Sequence, residues 1–305
     1  MAREYHEHPT DLMSDARLWW AVAVNLLLTV AQVIGGGLAG SLALVADALH
    51  NLNDAASLGI ALAARRISRR PPDRLRTFGY RRAQIIGALI NLTALILVAL
   101  YLVFEAVLRW FERNPIDGWI VVWLAGLALA VDLATALLTY TMSRTSLNIK
   151  AAFIHNLSDA LASVGVMLAG TLILLYEWYW TDLAVTLLIS AYILWQSVGM
   201  LKETIHILMQ GTPSDVRAEE IAAALETVAA VRELHHVHVW QIDEHHRSFE
   251  GHVVIGEASL PEMECIKRDL RAILAERFQI QHSTLEVEIA EQLNGIACAR
   301  REHAH

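Results

Sequence analysis

Long apolar stretches alternate with short polar connections over the first two-thirds of the chain. Six of these stretches approach the roughly 20 residues that a helix needs to cross a bilayer. They lie at about 17–38, 42–64, 81–107, 118–142, 150–176 and 181–207. Glycines at 35–37 and 40 predict a tight turn between the first two stretches. The pattern therefore predicts an α-helical membrane protein with six transmembrane helices.

Beyond residue 213 the pattern changes to that of a small soluble domain. The expected elements are a helix over about 215–229, strands over 237–242 and 249–255, a helix over 261–278 and a strand over 284–289. This order predicts an α+β domain in which helices cover one face of a three-stranded sheet. We expect an N-terminal tail at 1–16, a transmembrane domain at 17–207, a cytoplasmic domain at 208–290 and a polar tail at 291–305.

Basic residues are distributed unevenly between the connections. The connection after the second span and the start of the third contain Arg65, Arg66, Arg69, Arg70, Arg74, Arg76, Arg81 and Arg82, whereas the three connections on the opposite side contain only Arg113. The positive-inside rule places the arginine-rich side in the cytoplasm, with both termini. Short loops and a compact length suggest a multi-pass protein of a bacterial inner membrane.

The composition supports a membrane protein and narrows the function. The chain is 55% hydrophobic and 18% charged, which is less charge than a soluble protein carries. Its mean hydropathy is +0.39 and its formal charge is −8, and we expect no nucleic-acid partner. Only Cys265 and Cys298 carry thiols, so no disulfide framework is implied.

The pentapeptide His-Asn-Leu-x-Asp occurs twice inside the apolar stretches. It places His50 with Asp54, and His155 with Asp159. Residues four apart lie on one face of a helix, so each copy presents an imidazole beside a carboxylate. Two such faces supply the two nitrogens and two oxygens of a tetrahedral zinc site. The alternative is a pair of buried His–Asp hydrogen bonds that only join helices.

A site with four protein ligands favours transport over catalysis, because a catalytic zinc keeps an open position. We therefore expect no enzyme activity. No GxxxxGK[ST] phosphate loop is present, so the energy should come from an ion gradient. Metal and protons compete for the same ligands, which suggests exchange of Zn2+ for protons. The alternative is a membrane-anchored metal sensor or scaffold that works through its cytoplasmic histidines.

The sequence resembles the cation diffusion facilitator family, in particular its zinc-transporting branch, over nearly the whole chain. The resemblance rests on residues 41–50, Asp54, 77–82, 146–152, 155–159 and 236–240. It implies six helices, a metallochaperone-like (ferredoxin-like) cytoplasmic domain, a homodimer, and export of divalent cations against protons. The family's transport ligands fall on the four residues of the repeated motif.

The resemblance also implies a regulatory metal site in the cytoplasmic domain. Its positions fall on His236, His252 and His282, with Cys265 and Glu288 as further candidates. His252 lies in the second expected strand and His236 just before the first, so the two side chains could meet across the pair. The alternative is that several of these histidines are solvated residues at strand ends or turns.

Two other features allow more than one interpretation, and a third argues against a metal site. Asp132 has no histidine on its own helix and suggests either a proton relay or a contact with another span. The arginine-rich connection can act as a topological signal that meets anionic lipid, or can pair Arg81 or Arg82 with Glu203. Arginines beside Asp73 oppose a metal ion, so we expect no metal site there.

Overall fold

The computed structural model describes residues 26–111, 115–140, 147–243 and 246–290, with 138–140 and 147–152 described by their backbone alone. The expected tails at 1–16 and 291–305 lie outside the described residues. The chain divides into two compact units, one of Met1–Ala63 with Ile90–Leu201 and one of Ala64–Leu89 with Lys202–His305.

Five long helices and one shorter helix account for the apolar part of the described residues. They are α1 (Leu26–Ala39), α2 (Leu42–Ser68), α3 (Ala83–Trp110), α4 (Gly118–Tyr140), α5 (Leu147–Tyr176) and α6 (Trp180–Leu208). Within the described residues, α3 to α6 are long and apolar enough to cross a membrane. The α2 helix has 27 residues but is less apolar, because polar residues of the repeated motif and basic residues lie along it.

The glycines near residue 36 form helix rather than the turn that the sequence suggested. The α1 helix continues through residues 35–37, and the chain turns at Gly40, which has a φ of +74°. A Cβ added at Gly36 would lie 2.8 Å from Cγ2 of Val45 on α2. These glycines therefore allow two helices to pack closely, a role of small residues in membrane helices that composition does not distinguish from a turn.

Alanine supplies five of the eleven buried residues in the core of the first unit. Its buried members are Ala39, Ala43, Leu44, Ala46, Ala99, Leu102, Val121, Ala125, Val166, Ile189 and Ile193. The α4 and α5 helices pack closely at Gly170, where an added Cβ would lie 2.8 Å from Cγ1 of Val121. The spacing of α5 therefore depends on the absence of a side chain at this position.

The N-terminus of α2 is held by a carboxylate from α6. Asp182 is fully buried and accepts hydrogen bonds from the backbone N–H groups of Leu42 (2.8 Å) and Ala43 (3.3 Å) and from the Ser41 hydroxyl. The first N–H groups of a helix have no partner inside the helix, and its N-terminus favours negative charge. Asp182 thus fixes the start of α2, about 12 Å along the helix from His50.

The second unit contains the elements of the predicted α+β domain. They are α7 (Ala218–Leu225), β1 (Val231–Gln241), β2 (Arg247–Ile255), α8 (Leu260–Phe278) and β3 (Ile280–Ile289). The sheet has the order β1-β2-β3, with β1 and β2 antiparallel and β2 and β3 parallel. The predicted fold class, a helical membrane domain followed by an α+β domain, is confirmed.

The first strand begins six residues earlier than its sequence suggested. A register shift lies between His235 and His238, and His236 has a φ of +51°. A bulge adds a residue to one strand and interrupts the alternation of side chains. The alternation that predicts a strand is therefore visible only after the bulge, from residue 237 onward.

The two faces of the sheet have different environments. Phe249, Val253 and Ile255 of β2 pack with Leu270 and Leu274 of α8 in the core. Successive side chains of a strand point to opposite faces, so Ser248, Glu250 and His252 lie on the face away from α8. Polar side chains of β2 are consequently gathered on the face of the sheet opposite α8.

Candidate metal centre

The two copies of the repeated motif meet in the first unit. His50 and Asp54 lie on α2, and His155 and Asp159 lie on α5. Nε2 of His50 is 3.7 Å from the Asp54 carboxylate and 3.5 Å from the Asp159 carboxylate. Nε2 of His155 is 3.3 Å from Asp54 and 3.6 Å from Asp159. Each imidazole therefore faces one carboxylate of its own helix and one of the other helix.

These four distances match the edges of a metal-sized tetrahedron. Zn–N and Zn–O bonds of about 2.0–2.2 Å place the ligand atoms of a tetrahedral site about 3.3–3.6 Å apart. The observed separations of 3.3–3.7 Å fall within about 0.1 Å of that range. Among the described residues His50, Asp54 and Asp159 form a metal-sized group, and His155 approaches it through Asp54 and the second oxygen of Asp159.

The two sides of this cluster differ in exposure. The side chains of His50 and Asp159 are only 11% and 10% exposed, whereas that of His155 is 47% exposed. A cavity of about 340 Å³ reaches His50 and Asp159 and is lined mainly by apolar side chains of α5 and α6. An ion could therefore reach the cluster through a space that the two helices border.

Two further buried carboxylates have neutral partners on other helices. Asp47 of α2 accepts a hydrogen bond of 2.8 Å from Nε2 of Gln32 on α1. Asp132 of α4 accepts one of 3.0 Å from the Ser163 hydroxyl, one turn beyond Asp159 on α5. The contact that the sequence left open for Asp132 is thus made with a polar group of another helix. Neither Gln32 nor Ser163 was expected as a partner, because their sequence neighbours carry no motif.

A second cluster lies on the face of the sheet opposite α8. His235 of β1 is paired with His252 of β2, and Glu288 of β3 contacts both. The Glu288 oxygens lie 3.1 Å from Nε2 of His235 and 2.7 Å from Nδ1 of His252. Burial would raise the pKa of the Glu288 carboxyl, but its hydrogen bonds with His252 and His235 outweigh burial and the pKa is lowered. Among the described residues, these three side chains form a metal-sized group.

The structure places the other expected cytoplasmic ligands at different distances from this cluster. The His236 ring lies 5.0 Å from the His252 ring, at the edge of the group. His282 pairs with Ser248, four residues along β2 from His252, and therefore about 13 Å away. Cys265 is exposed on α8, which covers the opposite face of the sheet. Within one chain, neither His282 nor Cys265 joins the cluster.

His235 was missed because the strand was expected to start too late. With β1 beginning at Val231, His235 lies directly opposite His252. The bulge that follows gives the neighbouring His236 a left-handed backbone. A signal was available in the sequence, since Val231 and Leu234 precede the histidines, but the register that pairs His235 with His252 is a tertiary property.

Comparison with known proteins assigns both units. Residues 18–209 match the family described as the cation efflux transmembrane domain, and residues 213–290 match the cation efflux protein cytoplasmic domain. The chain belongs to the cation efflux (cation diffusion facilitator) family. The predicted resemblance is therefore confirmed, and the family is one of metal transporters rather than enzymes.

Several bacterial relatives of this cation efflux protein match over most of its length. The metal cation efflux system protein CzcD of Cupriavidus metallidurans is 35% identical over 93% of this chain and 89% of its own. The zinc transporter ZitB of Pectobacterium atrosepticum is 36% identical over 93% and 88%. A Bacillus subtilis protein, named as a cadmium, cobalt and zinc/H(+)-K(+) antiporter, is 32% identical over 90% and 92%. The chain is thus a membrane-spanning member with bacterial relatives and a cytoplasmic domain of the family's dimerisation type.

Proposed function

We propose that this cation efflux protein exports Zn2+ from the cytoplasm in exchange for protons, using His50, Asp54, His155 and Asp159 as the transport site. The observation that carries the proposal is the set of four contacts of 3.3–3.7 Å between histidine nitrogens and carboxylate oxygens across α2 and α5. Two motifs with the same spacing and complementary ligands, inside helices of the membrane domain, are explained by one shared ion.

The donor set favours zinc among the cations that the family's names suggest. Imidazole suits zinc, copper, iron and nickel, whereas carboxylate and water ligands alone suit magnesium, calcium and manganese. Relatives are named as zinc transporters or as antiporters of cadmium, cobalt and zinc. Zinc is therefore the first substrate to test, with cadmium and cobalt next.

Exchange with protons follows from the charges of the site. A zinc ion and two carboxylates sum to zero, and so do two imidazolium groups and the same two carboxylates. Replacing Zn2+ by two protons on the histidines thus keeps a neutral site inside the membrane, where net charge is costly. Protonated histidines cannot bind metal, so proton binding releases zinc and zinc binding releases the protons.

The arrangement of ligands also suggests how the ion is released. Each helix supplies one histidine and one carboxylate, so the two contacts between the helices, His50–Asp159 and His155–Asp54, change when α2 moves relative to α5. A displacement of about 1 Å is several times the ±0.2 Å tolerance of a metal–ligand bond. We infer that a relative movement of α2 and α5, between states open to opposite sides of the membrane, weakens the site enough to release zinc.

The cytoplasmic cluster suits a regulatory role in a homodimer. Its side chains are more exposed than His50 and Asp159, with His235 at 42%. A ligand shifts a conformational equilibrium only through different affinities for the two states. Zinc at His235, His252 and Glu288 would therefore favour one transporter state as cytosolic zinc rises. We also propose that the protein lies in a bacterial inner membrane with both termini in the cytoplasm, and that its cytoplasmic domain begins at residue 208.

The test is zinc uptake into inside-out proteoliposomes with and without an imposed pH gradient. Wild type is expected to take up zinc when the gradient favours proton efflux, and Asp159→Ala and Asp54→Ala are expected to lose that uptake. Ser57→Ala is a matched control on α2, because the Ser57 hydroxyl bonds the Asn53 carbonyl of its own helix. Uptake that ignores the pH gradient, or that survives in both aspartate variants, would leave the sensor or scaffold as the better function.

A further inference from the structure

The arginine-rich connection between α2 and α3 is an ordered turn whose carboxylate is already engaged. Asp73 is the one acidic residue between positions 65 and 82. Its oxygens accept hydrogen bonds from the backbone N–H groups of Leu75 (2.8 Å) and Arg76 (2.7 Å) and from the Tyr80 hydroxyl. The Tyr80 hydroxyl and these N–H groups lower the pKa of Asp73. Both carboxylate oxygens are thus committed within the turn.

A pocket of about 360 Å³ lies between this turn and the sheet of the same unit. Phe78 and Arg81 border it from the turn, and His246, Arg247 and His282 border it from the sheet. The ring of Phe78 packs edge-on against His282, with centroids 5.6 Å apart. The pocket therefore collects two guanidinium groups and two imidazoles around one space.

The two arginines of the pocket have different partners. Arg247 is only 17% exposed, and its guanidinium pairs with Asp215 (2.7 Å) and donates to the Phe278 carbonyl (3.1 Å). These contacts fix the position of its planar fork. Arg81 is exposed and has no ion pair or hydrogen bond within the part of the chain that the structure describes. The expected ion pair of Arg81 or Arg82 with Glu203 is not formed in the described part of the chain.

Arg247 is paired with Asp215 and His246 with Asp243 (2.8 Å), so the guanidinium of Arg81 supplies the charge that favours an anion over a cation. A metal ion held by His282 or His246 would share the pocket with the unpaired guanidinium of Arg81. Arginine presents donors in a fixed geometry that matches phosphate oxygens. Arg81 also lies two residues before α3, a helix long and apolar enough to cross a membrane. Arg81 is therefore expected near the membrane surface, where anionic headgroups are found.

We propose that this pocket binds the phosphate group of an anionic ligand, held between Arg81 of the turn and Arg247 of the sheet. The phosphate can belong to an anionic phospholipid headgroup or to a soluble phosphate. In either case the anion joins the connection between α2 and α3 to the cytoplasmic sheet. This inference does not depend on the metal that is transported.

The experiment measures thermal unfolding of the full-length protein in a neutral detergent with three additions. Short-chain phosphatidylglycerol supplies an anionic headgroup, inorganic phosphate supplies the soluble anion, and short-chain phosphatidylcholine controls for lipid alone. At least one of the two anions is expected to raise Tm in a saturable manner. Phosphatidylglycerol acting alone would identify a lipid site, and inorganic phosphate acting equally well would identify a soluble ligand.

The variants assign the effect to the pocket. Arg81→Gln is expected to weaken the anion's half-saturation by about tenfold or more, since it removes a charge-assisted contact. Arg247→Lys keeps the charge but loses the fork and is expected to weaken it as well. Arg74→Gln removes a charge from the same connection outside the pocket and should leave it unchanged. Equal effects of Arg81→Gln and Arg74→Gln, an equal effect of phosphatidylcholine, or no anion effect at all would overturn the proposal.

Discussion

The membrane cluster and the cytoplasmic cluster use similar ligands on different supports. In the membrane unit, two helices each supply a histidine and an aspartate four residues apart. In the cytoplasmic unit, three strands supply His235, His252 and Glu288, and a bulge lies beside the first of them. The first arrangement is set by the helical repeat within each segment, and the second by the register between segments.

This difference has consequences for rigidity and exposure. The membrane ligands lie on long helices packed through alanine and glycine, and His50 and Asp159 are nearly buried. The side chains of the cytoplasmic cluster are more exposed to water, with His235 at 42%, His252 at 24% and Glu288 at 20%. We therefore expect the membrane cluster to select the ion strictly and the cytoplasmic cluster to bind it more weakly and reversibly.

The largest difference between the two clusters is expected in metal selectivity when one histidine of each is replaced by aspartate. His155→Asp replaces an imidazole by a third carboxylate in the membrane cluster, which favours manganese over zinc. The ratio of zinc to manganese flux in proteoliposomes should fall on the order of 100-fold, about 3 kcal/mol in relative binding. His235→Asp makes the same change in the cytoplasm and should leave this ratio unchanged. Similar selectivity changes in both variants would remove the distinction between the clusters.

Removing the charge of Glu288, which contacts both histidines, should weaken zinc binding at the cytoplasmic cluster. In an Asp159→Ala background, calorimetry of the full-length protein reports the zinc that remains bound in the cytoplasm. Glu288→Gln should lower that affinity by at least about tenfold, because Glu288 contacts both histidines. Glu264→Gln on α8, which pairs only with Lys267, is the matched control. An unchanged affinity in Glu288→Gln would place the cytoplasmic metal elsewhere.

Adding one methyl group between α4 and α5 tests whether the stability of the membrane unit depends on close packing of these two helices. A Cβ at Gly170 would lie 2.8 Å from Val121, so Gly170→Ala should lower the free energy of unfolding by about 1–3 kcal/mol. At Gly199 no atom lies within 4 Å, and Gly199→Ala should be neutral or stabilising. Denaturant unfolding in detergent distinguishes the two variants. A Gly170→Ala protein as stable as wild type would mean that α5 tolerates displacement.

The smallest effect is expected at the ion pair of the cytoplasmic unit. The Arg247 guanidinium lowers the pKa of Asp215 below its usual 3.8. A lowered pKa stabilises the fold above pH 3.8, and that stability is lost as the pH falls through the lowered value. Because Asp215 is largely exposed, Asp215→Asn should cost less than about 1 kcal/mol at pH 7. The difference between the two proteins should shrink as the pH falls through the lowered pKa of Asp215, and a constant difference at all pH values would exclude this ion pair as its cause.

The sequence was informative wherever a feature repeats within one segment. The apolar stretches predicted helices, and the two His-Asn-Leu-x-Asp copies predicted which residues would share a helix face. The α2 helix was also predicted, although its polar residues make it less apolar than α3 to α6. These features depend on contacts between residues three or four apart, which a single segment already determines.

The sequence was less informative wherever two segments have to meet. Glycines at 35–37 have the composition of a turn, yet they lie in α1, and Gly36 allows Val45 of α2 to pack closely against it. Asp182 lies about 140 residues from the helix start that it holds, and nothing in its neighbourhood marks it as a cap. His235 joins the cytoplasmic cluster through a strand register that a bulge conceals.

The sequence by itself thus determined the helices, the order of the soluble elements and the two His–Asp pairs, because helical and strand periodicities are local. Only the tertiary structure decided that His50 and His155 each face both carboxylates, that His235 meets His252, and that His282 lies beside Phe78. Those choices depend on helix spacing, strand register and the packing of distant side chains. Such long-range contacts produce no periodic pattern in the sequence, because the partners come into contact only when the chain folds.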